Sequence, residues 1–309
     1  MNKSELWKNF NLGTELDISG RFIFNGLQCL HEMKTLHYGE EVFEFLYNVS
    51  VGLERLFKVT IVLIEHDDKT NQEEFEKSLI THNHLELLSR IQKKNKLKIG
   101  KVHLSFLEML GQFYKTHRYD RYSLISSEER DKEKKSLHTF IEHNYDIKIS
   151  DNFPFDITFI DMKLKKFIGK VIGKISKSLY EVLKNETTRL NIYTDEIRYD
   201  TKASKIFVRE EYNFENEDIL LKELLIFFIN SKQNGDHIDF IRNIKPLDFD
   251  MGLEGSYLEC MNSLEKKLEI MEELETLYEG IENPRDRINT LNLLGDSSVC
   301  FNPEDDGDK

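Results

Sequence analysis

Alanine occurs once in this 309-residue chain, at Ala203, and there are only four prolines, 15 glycines, three cysteines and one tryptophan. So few prolines and glycines leave long stretches free to run as uninterrupted helices. Cys29, Cys260 and Cys300 are odd in number and scattered, which excludes a disulfide framework and any Cys-based metal spacing. The N-terminus has no apolar core of signal-peptide length. The longest apolar runs, Val59 to Ile64 and Leu224 to Ile229, fall far short of a membrane span. A reducing cytoplasm is the expected location, with no membrane partner. Phosphate-binding glycine loops, GxSxG elbows, HExxH and paired CxxC are also missing, so nucleotide hydrolysis, serine hydrolysis and zinc chemistry have no sequence handle.

What is present is charge. Charged residues make up 32% of the chain against 39% hydrophobic, the balance of a globular protein. The net charge of −13 argues against uniform coating of nucleic acid. It is unevenly spread: residues 1–150 hold 22 basic and 23 acidic side chains, the remainder 21 and 33.

The apolar spacing predicts a mainly α-helical protein. Residues 1–18 read as a loosely structured lead-in. A first helix starts at a Ser19 N-cap and runs to about Lys34. A second, Glu40 to His66, repeats Val42, Phe45, Val49, Leu53 and Leu56 at core-facing intervals. Thr70 and Asn83 read as capping residues for two short helices, and a further helix covers about 102–116. The bundle is expected to span 19–150, with Pro154 marking the boundary. In the second region, 151–301, a helix over 161–184 carries one lysine-rich face. LNIYTDEIRYD and SKIFVREEYNF predict a β-hairpin at about 190–213. Helices over 217–231, 236–243 and 256–280 follow, with Tyr257, Leu264, Met271 and Tyr278 of the last at seven-residue intervals, a spacing that suits homodimer contact. Residues 302–309 form an acidic tail.

Gly52-Leu53-Glu54-Arg55-Leu56, on the long second helix, and Thr81-His82-Asn83-His84-Leu85, opening a later one, together resemble the HEPN superfamily of helical bundles over about residues 20–125. The resemblance implies a four- or five-helix bundle, often dimeric. Many members are metal-independent ribonucleases of toxin–antitoxin, phage-defence or CRISPR systems, and others are non-catalytic. Nuclease members share an arginine, four to six residues and a histidine, the histidine serving as acid or base and the arginine stabilising phosphorane charge. That pattern is not present. Lys98 and His103 have its spacing with lysine in the arginine's place, and His117-Arg118 offers an acid/base pair in reversed order.

Two basic segments point to single-stranded RNA. Arg90, Lys93, Lys94, Lys96, Lys98 and Lys101 carry six positive charges with no acid among them, able to contact phosphates or to complement a helix C-terminus. Tyr114, Lys115, His117, Arg118, Tyr119, Arg121 and Tyr122 interleave rings with cations, which suits stacking on unpaired bases. The RNA reading expects both segments to meet on one surface. Glu54 and Arg55 are expected in structural salt bridges, and His82 and His84, two apart on a helix, point in different directions. No metal or cofactor is expected. A second reading stands beside the first: a non-catalytic scaffold, regulatory or antitoxin-like subunit that binds a protein partner.

Overall fold

In a computed structural model, residues 3–117, 131–152, 155–192, 197–232, 235–261 and 263–294 are described. Among these residues the molecule is mainly α-helical with one short two-stranded antiparallel hairpin, and the chain forms two compact units, Met1–Phe214 and Glu215–Lys309.

The first unit is built around α2 (Gly39–Glu65), which α1 (Lys3–Glu32) flanks as an antiparallel partner. The core-facing positions of α2 are buried as their spacing predicts. Phe45, Leu46, Val49, Leu53, Leu56, Phe57 and Ile61 have no measurable exposure. The helix is encircled: α4 (His84–Gln92), α6 (Lys132–Tyr145) and α7 (Met162–Leu190) also pack on it. Between them lie α3 (Gln72–Ser78), α5 (Lys101–Gln112) and a π-helical turn, Phe113–His117. Asn71, Asn83 and Asp161 cap α3, α4 and α7 by accepting backbone N–H bonds, each satisfying an otherwise orphaned donor. Glycine lets the two long helices touch: a Cβ on Gly52 would lie 2.8 Å from the Ile23 backbone nitrogen, and Ser19 Oγ donates to the Gly52 carbonyl at 2.7 Å.

Several expectations are corrected. Residues 3–18 are the first half of α1, not a lead-in. Lys8 is buried and donates to the His66 carbonyl at 2.6 Å, and Trp7 meets the His66 ring edge-on at 5.0 Å. The hairpin pairs β1 (Asp151–Asn152) with β2 (Asp156–Ile157), Asp151 opposite Ile157. The segment 190–213, expected to supply it, instead carries α8 (Lys202–Phe207), and residues 193–196 lie outside the described residues. Thr201 caps α8 through the Ser204 N–H, and Ala203 packs into the notch left by Gly20. Burial of Ala203, Ile206 and Phe207 outweighs the β-propensity of the segment. The compact first unit therefore runs through Phe214, past the boundary expected at 150.

The second unit has α9 (Glu215–Asn230), α10 (Asp236–Asn243), α11 (Glu254–Cys260), α12 (Leu264–Glu279) and α13 (Pro284–Asn292). The single helix expected over 256–280 is broken at Met261, and Ser263 caps the following helix by accepting from the Lys266 N–H. The even seven-residue stripe is thus split between two helices. The acidic tail, 302–309, lies outside the described residues. No described helix is long and apolar enough to cross a membrane.

Candidate functional site: a charged cleft and a lysine corner

The two motif segments of α2 and α4 converge. His82, just before α4, holds Glu54 of α2, with Nδ1 2.9 Å from Oε2. The other carboxylate oxygen accepts from Lys58 Nζ at 2.6 Å. One turn of α2 places Glu54 and Lys58 on the same face. Arg55, beside them, pairs with Glu15 of α1, and its guanidinium lies 6.0 Å from the Phe22 ring centre. Tyr114 of the π-helical turn tilts against the His82 ring at 4.7 Å. Trp7, Glu15, Glu54, Arg55, Lys58 and Tyr114 line a cleft of about 440 Å³ between α1, α2 and this turn.

Glu54 is buried while His82 is nearly half exposed, so the carboxylate fixes the ring and leaves its other edge toward solvent. A histidine oriented by a carboxylate can exchange protons with a bound substrate. His84 differs. It is fully buried, its Nε2 lies 3.0 Å from the Ser50 carbonyl oxygen, and burial lowers its pKa. A carbonyl only accepts, so Nε2 carries the proton and the ring is a neutral structural donor. The two histidines point apart, as their spacing predicts. Among the described residues no group of three or more His, Cys, Asp or Glu side chains could hold a metal ion.

Among the described residues, the two expected basic segments lie at opposite ends of α5. Lys93, Lys94, Lys96, Lys98 and Lys101 sit at the corner joining α4 to α5, all exposed. Tyr114, Lys115 and His117 lie past the far end of α5, about 20 Å away at 1.5 Å per residue. The α4–α5 hairpin separates them because the corner and the turn are opposite ends of one helix. Arg118, Tyr119, Arg121 and Tyr122 lie outside the described residues, and of His117 only the backbone is described.

Arg90 is removed from the phosphate-binding set. It contacts both Glu65 oxygens, donates to the Ser78 carbonyl at 3.0 Å and covers Phe75. The five lysines of the corner differ from it: among the described residues no carboxylate pairs with any of them. His103 shares the corner with Lys98, its Nδ1 buried against Gly100. Burial lowers the His103 pKa, and nearby Lys174, an exposed member of the lysine face of α7, adds to that lowering.

Sequence spacing alone missed the Glu54–His82 pair and the parts played by Trp7 and Glu15. Glu54 and His82 are 28 residues apart, and only the helix packing joins them. The signal available was the pair of motifs itself, which places one polar residue of each where α2 meets α4. No family model, no curated protein and no solved structure matches this chain.

Proposed function

We propose that this chain is an HEPN-type RNA-binding protein that grips single-stranded RNA at the α4–α5 corner, in the defence or toxin-like setting that such a resemblance implies. One observation carries the reading: five exposed lysines within nine residues, Lys93 to Lys101, have no carboxylate partner among the described residues. In a protein of net charge −13 such a cluster is a local anion-binding surface, and Lys174 of α7 adds positive charge near His103. Each lysine brought to a phosphate releases counterions and makes binding depend on salt. The meeting of the two motif segments at Glu54 and His82 supports the family reading.

A metal-independent cleavage step on this scaffold is assigned to His82: oriented by Glu54, it would take the proton of the 2′-hydroxyl as that oxygen bonds to phosphorus and the P–O5′ bond breaks, the 5′-oxygen leaving with a proton from water. His103 is the poorer base, because burial and nearby Lys174 lower its pKa. A gel-shift titration of a 20-nucleotide single-stranded RNA in chelator tests the binding. We expect a shift with the wild-type chain and none with Lys93, Lys94, Lys96, Lys98 and Lys101 all changed to Gln. Equal shifts with both contradict it. Cleavage products that vanish in His82→Ala assign the chemistry, and intact RNA refutes the assignment.

The second reading is a non-catalytic module of the same fold, and one observation favours it. Among the described residues, both basic side chains lining the cleft already hold a carboxylate: Arg55 on Glu15 and Lys58 on Glu54.

A further inference from the structure

The second unit leaves its apolar residues in solvent. On α9, Ile219, Leu220, Leu224, Ile226, Phe228 and Ile229 are all 43–70% exposed, and they point to every side of the helix. A helix that is apolar all round is built to be covered. Against α11 it forms a groove of about 360 Å³, lined by Leu221, Leu225, Ile226, Leu258, Met261 and the stem of Lys222. No described residue of this unit is buried, so the groove does not belong to a core of the unit's own.

Charge selects what can cover it. Residues 215–309 carry 9 basic and 23 acidic side chains, whereas residues 1–214 carry 34 and 33. The whole negative excess of the protein therefore resides in the unit with the apolar groove. Glu223, on the same stretch of α9, and Glu254, one turn before Leu258, are exposed and have no ion-pair partner among the described residues. An identical acidic unit from a second copy would meet it with like charge, as would an anionic membrane surface.

We propose that the groove between α9 and α11 receives a basic amphipathic helix of a partner protein. Apolar anchors at i, i+3 or i+4 and i+7 would enter the groove, and flanking Lys or Arg would face the acidic rim. Methionine at Met261 suits such a surface, since its flexible thioether adapts to differently shaped anchors.

Two labelled 18-residue helical peptides test this, with identical leucine stripes and either lysine or glutamate on the polar face. Titrated with the full-length protein by fluorescence anisotropy, the lysine peptide should bind at least tenfold more tightly than the glutamate peptide. Leu225→Asp should weaken that binding at least tenfold even though it makes the unit more acidic. Binding that is unchanged or stronger in Leu225→Asp reveals attraction to bulk charge alone and overturns the proposal, as does equal affinity for the two peptides. Sedimentation gives an independent outcome: a wild-type dimer that Leu225→Asp converts to monomer identifies a second copy as the occupant and also overturns it. Circular dichroism of the variant must match wild type.

Discussion

Gly20 and the only alanine of the chain face each other across α1 and α8. A Cβ on Gly20 would lie 2.5 Å from the Ala203 Cβ and 2.6 Å from its Cα, a distance that only backbone movement can relieve. Gly20→Ala is therefore expected to destabilise the protein by about 1–3 kcal/mol, the usual cost of overpacking a filled site. Urea denaturation should show a lower midpoint at unchanged slope. Burial also acts on the histidines. The pKa values of His84, His103 and His138 are lowered, in each case chiefly by desolvation. A ring whose folded pKa is depressed supplies stability that is present above its unfolded pKa, about 6.5, and lost as pH falls toward the folded value. Stability should accordingly decline as pH drops below about 6.5. His84 alone contributes a slope of up to about 1.4 kcal/mol per pH unit. His84→Gln, which keeps a donor for the Ser50 carbonyl, should flatten that decline; an unaltered slope would mean that His84 does not carry it.

Elements differed in how far the sequence disclosed them. The spacing of Val42 to Leu63, the cap at Asn83 and the lysine-rich face of 161–184 made α2, α4 and α7 legible, because burial of one stripe and a local hydrogen bond are both encoded over a few residues. The helix α8 was not legible. Its Thr201 cap is a weak signal beside the β-rich residues around it, and its packing partner Gly20 is more than 180 residues away in the chain. Thr201→Ala should cost about 1 kcal/mol, the typical worth of a side-chain cap, if this segment is helical. A neutral substitution would favour the extended conformation that the composition suggested. At the site the same division holds. The lysine corner was evident from the sequence, since it is a contiguous surface loop. Glu54–His82 and Arg55–Glu15 join separate helices, and the prediction that both α2 residues form structural ion pairs did not extend to the cleft they line.

The whole molecule divides its properties between its two units. Every buried hydrophobic side chain, from Leu12 to Phe214, belongs to the first, and none is found among the described residues of the second. Hydrogen exchange should therefore protect the amides of α2 and α7 most strongly, while those of α9 to α13 exchange well before global unfolding. Comparable protection in both units would contradict this distribution of stability. Charge is divided as well, nearly balanced in the first unit and strongly negative in the second, so an anionic ligand is directed to the bundle. The proposed RNA binding requires that the lysines of the α4–α5 corner hold phosphates. The salt dependence of single-stranded RNA affinity, measured for the wild-type chain and the five-lysine Gln variant, tests it most directly. The plot of log K against log salt should lose about 0.7 of its slope for each lysine removed, about 3.5 in all if every one is engaged. Parallel plots for the two proteins would show that these side chains touch no phosphate, and the RNA-binding account would fall.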